Sequence, residues 1–183
     1  MSNVHLLAVA ASLSLAMTGC RTGSDTTDEM AAASAPAPAA MAAASVVSPE
    51  LEDALAEALD DERHAIAFYE AVMARYGRRR PFSNIVNAER RHANALLAQY
   101  RRLGLTVPAD RWADATIEVP DSFRAACAAS VDAEVRNVAI YDRLLAVARD
   151  PDLGDPAVLN VFERLRWASQ ERHLPAFKRC SGR

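Results

Sequence analysis

Asn87-Ala88-Glu89-Arg90-Arg91-His92-Ala93-Asn94-Ala95-Leu96 decides how the chain is read. Around it Phe82, Ile85, Val86, Ala93, Leu96, Tyr100 and Leu103 recur three and four residues apart, the period of one helix face. Glu89 and His92 stand three apart, so they leave that same face. A carboxylate and an imidazole turned into an apolar core are costly unless they are paired, hydrogen-bonded or bound to a metal. One such pair falls within a helix by chance often enough that the rest of the chain must supply the argument.

With 183 residues there is room for one domain. The apolar fraction is 51%, Ala dominates and aromatics make up 6%, which favours helices over a sandwich or barrel. The net charge of −3 implies no polyanionic partner, so no nucleic acid is expected. Lys178 is the only Lys against many Arg, a bias of composition without functional meaning.

Leu6–Met17 is an apolar run of about a dozen residues, too short to span a bilayer and the length of a signal-peptide core. Met17-Thr18-Gly19-Cys20 follows and resembles the lipobox of bacterial lipoproteins, in which the Cys is acylated and becomes the first residue. The alternative is an ordinary cleaved signal with an incidental Cys, since Met1–His5 carries no Lys or Arg. The reading divides the chain into a signal peptide (1–19), a tether after a lipidated Cys20 (20–47) and a helical domain (48–180). Pro36 and Pro38 interrupt the Ala-rich tether, and it has no large apolar side chains with which to build a core. It predicts an exported protein held to the membrane by its lipid, on the periplasmic side of the envelope or the cell surface. In a Gram-negative host, Arg21 after the Cys points to the outer membrane by analogy with lipoproteins.

Four helices follow. The first opens at Ser48-Pro49-Glu50 with a cap, a Pro in the first turn and an acid, and stops at Gly77. The second runs from Phe82 to Leu103, before Gly104. Gly104–Pro120, about 17 residues, reaches roughly 55 Å when extended, enough to run the length of a bundle. The third starts at Asp121 or Ser122 and ends at Asp150-Pro151; the fourth opens at Asp155-Pro156. Arg75, Arg78, Arg79 and Arg80 cluster at the first turn and read as a solvated tip, the alternative being an anion or lipid-headgroup contact. His64 lies off the apolar stripe and reads as solvated; His5 falls in the signal.

The two halves repeat. Asp61–Tyr69 (DERHAIAFY) aligns with Ala133–Tyr141 (AEVRNVAIY), and Glu89–His92 (ERRH) aligns with Gln170–His173 (QERH). In each first segment a Tyr stands seven residues, two turns, after a Glu, so Tyr69 shares the face of Glu62 and Tyr141 that of Glu134. Two hairpins that each turn a Glu, a Tyr and a His inward look like a duplicated unit packed against itself.

This arrangement resembles the ferritin-like superfamily, which includes rubrerythrins and bacterioferritins. More narrowly, FSNIVNAERRH and ERHLPAF look like signatures of a prokaryotic ferritin-like family known only as domain of unknown function 2202. The resemblance covers Leu51 to Arg179. It implies an all-α, four-helix ferritin-like bundle of two helical hairpins with a long connection between the second and third helices. It also implies a site of four carboxylates and two imidazoles that holds two metals. Here Glu62, Glu89 and Glu134 match three carboxylates, His92 and His173 match both imidazoles, and the fourth carboxylate position holds Gln170. Tyr69 and Tyr141 stand behind the carboxylates as hydrogen-bond partners. A neutral amide bridges two cations poorly, and Glu171 points about 100° away around the helix.

The sequence therefore predicts weak or single-metal binding through Glu62, Glu89, His92, Glu134 and His173. Iron or manganese suits mixed carboxylate and imidazole ligands, and zinc also fits. The alternative is a non-catalytic bundle, a structural or interaction module of the cell envelope, whose inward Glu, His and Tyr form a hydrogen-bond network without metal. If there is catalysis, the resemblance implies metal-dependent oxidation of iron or reduction of peroxide; the missing carboxylate weighs against it. The protein partner and oligomeric state are left open. One geometric obstacle stands. Glu62 lies about fifteen residues before the first turn and Glu89 about seven after Phe82, a mismatch of several Å unless that turn is asymmetric. Finally, Cys127 and Cys180 lie about 35 and 36 Å of helix from the second turn, so they reach one level and are expected to form a disulfide. Pro175 stands in the way if it kinks the fourth helix.

Overall fold

The Ser48 side chain accepts a hydrogen bond from the Leu51 amide at 3.1 Å, and the first helix, α1 (Pro49–Tyr76), starts immediately after it. The computed structural model describes residues 47–182; the expected signal, the lipidation site Cys20 and the tether up to residue 46 lie outside the described residues. After α1 come α2 (Phe82–Leu103) and α3 (Phe123–Arg149), the latter capped by Ser122, which accepts from the Ala125 amide. Gly104 ends α2 with φ 69°, a left-handed conformation that glycine adopts without strain. The fourth rod has three parts: α4 (Pro156–Ala168), a π turn (Ser169–His173) and α5 (Leu174–Ser181). Asp155 caps it by accepting from the amides of Ala157 and Val158 at 2.9 and 3.0 Å. No strand occurs among the described residues, and no helix there is long and apolar enough to cross a membrane. The domain is an all-α four-helix bundle.

Contacts at the helix ends fix the topology. Arg102, at the end of α2, pairs with Asp155 at the start of α4 (2.6 Å). Arg75 and Tyr76, at the end of α1, donate to the carbonyls of Val119 and Pro120 just before α3. The connection 104–122 therefore runs the full length of the bundle, and the helices run up, down, down, up. On its way the connection is strapped to α1: Arg111 grips both Asp60 oxygens, and Arg63 donates to the Pro108 carbonyl.

Buried apolar residues form two clusters with a polar layer between them. One holds Leu51–Leu59, Ala93–Tyr100, Tyr141–Ala148 and Val158–Leu165 side chains. The other holds Tyr69–Met73, Phe82–Val86, Ala126–Val131 and Phe177. Between them, on all four rods, the buried positions become Glu62, Glu89, Glu134 and His173. The expected axial mismatch disappears because the first turn is asymmetric. Phe82, the first residue of α2, packs on Tyr69 with ring centres 5.5 Å apart, so α2 begins level with Tyr69 and not with the end of α1. Glu62 precedes Tyr69 by two turns and Glu89 follows Phe82 by two turns, which brings both acids to one level.

The fourth rod departs from the sequence reading at Pro175. The disturbance is not a kink at the proline but a π turn just before it, in which the Leu174 amide bonds back to the Ser169 carbonyl. Pro175 has no amide hydrogen to give to residue 171, and the extra residue in this turn accommodates that missing bond. Beyond the turn the helix continues, and Cys180 reaches disulfide-bonding distance of Cys127 with Cα atoms 5.7 Å apart, as expected.

Candidate metal centre

Glu89 is the hub of the polar layer. It is 3% exposed, and its two oxygens face different rings: Oε2 lies 2.8 Å from His92 Nδ1, and Oε1 lies 3.0 Å from His173 Nδ1. Glu62 Oε2 approaches His92 Nδ1 at 3.4 Å from one side; Glu134 Oε1 approaches His173 Nδ1 at 3.6 Å from the other. The two imidazoles stack with centres 5.5 Å apart. All five residues named from the sequence thus converge, although they come from four different helical segments.

Tyr69 and Tyr141 stand behind the outer carboxylates, but crosswise. The Tyr69 hydroxyl donates to Glu134 at 2.8 Å, and the Tyr141 hydroxyl donates to Glu62 at 2.8 Å. Each Tyr serves the Glu of the other hairpin, because the two repeats meet face to face across the bundle axis. Each outer carboxylate is therefore anchored through one oxygen.

Both Nδ1 atoms are buried and form no hydrogen bond, although each has a carboxylate oxygen at or within 3.0 Å. At such distances the reason is direction: the ring N–H vector misses the oxygen. Nitrogen and oxygen donors crowded together in this way form ion pairs and are also placed to ligate a third atom. Glu89, His92 and His173 each offer one donor atom, all within 4.8 Å of one another. The residues present fit a metal ion by this test.

Electrostatics follow from burial and proximity. Burial, and then the neighbouring Glu89, raise the Glu62 carboxyl far above its ordinary range; burial also raises Glu134. Burial would raise Glu89 too, but His173 and His92 beside it hold it low. Burial alone would lower His92, yet Glu62 and Glu89 push it up to about 9; Glu134 and Glu89 likewise push His173 up to about 10. The layer is built to hold positive charge at its centre.

Two sequence expectations are corrected here. Gln170 does not face the cluster at a fourth carboxylate position: its amide oxygen accepts from Arg166 at 2.8 Å, and the buried residue one turn before His173 is Ser169. The π turn shifts the buried face by one residue, to Ser169. His64 is half-buried, not solvated, and stacks on Trp112 with ring centres 4.2 Å apart. On α3 the buried face also includes Asn137, which is 8% exposed. The arginine tip is exposed as expected, though Arg79 also lies over the Phe123 ring at 3.9 Å. Sequence reasoning missed Asn137 and its partner Asp61, whose Oδ2 accepts from the Asn137 side chain. Their signal was available in the repeat, where Asn137 aligns with Ala65 and Asp61 with Ala133.

No family model matches the sequence, and no curated protein matches it. Among solved structures the bundle is similar to a hypothetical protein from Methanococcus jannaschii DSM 2661, with a TM-score of 0.63 and 19% identity over 74% of this chain and 82% of that one. At that identity the likeness concerns the fold alone.

Proposed function

We propose that this protein binds a transition-metal ion in the middle of its bundle, as a ferritin-like protein of the cell envelope. The observation that carries the reading is the convergence of one donor atom each from Glu89, His92 and His173 within 4.8 Å of one another. Glu89, His92 and His173 form the inner ligand set, and Glu62 and Glu134 flank it. With an ion in place of the protons, three carboxylates and two neutral imidazoles carry a charge of −3, which a single divalent ion offsets only in part. Two ions would leave the site positive. The donor set therefore favours one tightly held ion. Oxygen and imidazole donors together suit iron or manganese, and zinc next.

When bound, a redox-active ion would supply one-electron chemistry toward iron or an oxidant; the chain's own part is to hold and orient. Tyr141 holds Glu62 through Oε1 and leaves Oε2, the oxygen that faces His92, free to ligate, whereas Tyr69 holds Glu134 through Oε1, the same oxygen that faces His173. The apolar clusters above and below close the layer at both ends. The Cys127–Cys180 pair, at bonding distance, supports an oxidising compartment and so the export expected from the N-terminal sequence. The test is metal content. The protein loaded with Fe(II), Mn(II) or Zn(II) and desalted is expected to retain close to one ion, and Glu89→Ala is expected to retain far less. Retention near zero that Glu89→Ala does not change refutes the reading and leaves a metal-free structural bundle.

A further inference from the structure

A cavity of about 170 Å³ opens beside the centre between α1 and α3. Its inner wall is made by Glu62, Glu89 and Glu134, and exposed Arg136 stands at its rim. The space exists because the repeat places small residues, Ala65 and Ala133, where the two helices face each other. Across it, Asn137 donates to Asp61, joining α3 to α1. Asn137 is 8% exposed, and its side-chain carbonyl oxygen is buried without a hydrogen-bond partner. A buried acceptor left unpaired is costly and calls for an occupant that donates a hydrogen bond or carries positive charge.

Four carboxylates, those of Asp61, Glu62, Glu89 and Glu134, line the cavity against Arg136 and His64. An acid-lined cleft with low-dielectric walls concentrates cations. Asn137, whose buried carbonyl oxygen is unpaired, adds a hard oxygen donor to the lining, a type suited to a divalent ion that is shedding water. The two repeats differ at this spot. One contributes Asp61 and Ala65, the other Ala133 and Asn137, so the polar pair arises only where the hairpins meet.

We infer that the cleft between α1 and α3 is the route by which a divalent cation reaches the centre, with the Asp61–Asn137 pair as its receiving site. The inference rests on the metal-binding reading above. It concerns how fast the ion arrives, whereas that reading concerns whether it stays.

The experiment is stopped-flow binding of Co(II) to the full chain, followed by the visible absorption of the bound ion. Asp61→Asn is expected to slow association roughly tenfold, and Asn137→Asp to speed it by a similar factor, because each changes one charge at the receiving site. Ala133→Leu fills the passage and is expected to slow association about tenfold or more, since the ion must then wait for local opening of the helix pair. The final absorbance at saturation stays that of the wild type in all three. Rates within about twofold across the set, with full absorbance, overturn the route and leave the centre standing. A wild-type protein that gains no Co(II) absorbance overturns the centre and the route together. If Ala133→Leu loses helical circular dichroism, the opposite rate changes in the Asp61 and Asn137 variants decide the matter.

Discussion

Replacing Glu89 by Gln keeps the shape of the hub and removes its charge. In the native layer this carboxylate lies 2.8 Å from one imidazole and 3.0 Å from the other, with both rings held toward the protonated form. Without it the rings keep only Glu62 at 3.4 Å and Glu134 at 3.6 Å. Removing one partner of a buried ionic group costs about 3–5 kcal/mol. For roughly 140 ordered residues that corresponds to a fall in Tm of about 10–17 °C. The assay is thermal unfolding by circular dichroism at neutral pH in the presence of a chelator. The same melts with metal added give a second readout. An ion at 100 times its Kd stabilises the native state by about 2.7 kcal/mol, a rise of about 9 °C. Wild type is expected to show that rise and Glu89→Gln to lose it. A variant that melts within about 2 °C of wild type, and gains as much from metal, refutes the placement of Glu89 at the hub.

Other changes probe the supports of the layer. Cys127→Ala removes a link between residues 53 apart and, by loop-closure entropy, is expected to lower stability by about 4 kcal/mol, read as a lower urea midpoint. Two thiols that react freely in the unreduced native protein would contradict the bond itself. Asp155→Ala is expected to cost about 1 kcal/mol through loss of the α4 cap. Burial alone would raise the Asp155 carboxyl, but the Val158 amide and Arg102 hold it below its ordinary value of 3.8. Its stabilising share is therefore complete above pH 3.8 and disappears as pH falls through the lower native value; acid titration of wild type against variant should show the two curves meet there. Gln170→Glu is expected to pair with Arg166 and leave metal content unchanged, whereas Ser169→Asp is expected to raise it; the reverse result in metal analysis would place Gln170, not Ser169, on the inward face.

The caps, helix bounds and five converging side chains were legible because each depends on local chemistry or on the 3.6-residue period. Ser48, Ser122 and Asp155 are capping residues before apolar stripes, and Gly104 is a stop that only its left-handed backbone explains. The repeat carried the site, because two copies of one pattern constrain each other's facing. What was not legible depended on a missing backbone bond or on contacts between distant segments. Pro175 announces a disturbance but not that a π turn will absorb it upstream and rotate Ser169 inward in place of Gln170. His64 reads as solvated until the crossover brings Trp112, 48 positions away, onto its ring. The level of α2 against α1 was invisible because it rests on packing between distant side chains, Phe82 on Tyr69 among them.

The crossed tyrosines show why the layer needs both hairpins. If each hydroxyl bonded the Glu of its own helix, one hairpin alone would satisfy its buried acid and the other would add little. Instead Glu62 obtains its donor from α3, and Glu134 obtains its donor from α1. Neither acid can be buried comfortably until the halves have met, since an unpaired buried carboxylate is strongly disfavoured. The hub makes the same demand, because Glu89 on α2 needs His173 from the fourth rod as well as His92 from its own. Assembly of the bundle and completion of the proposed ligand set are thus one event, and on that proposal added metal is expected to raise the cooperativity of unfolding. A protein whose hairpins unfolded separately, with metal bound to one of them, would be incompatible with this geometry.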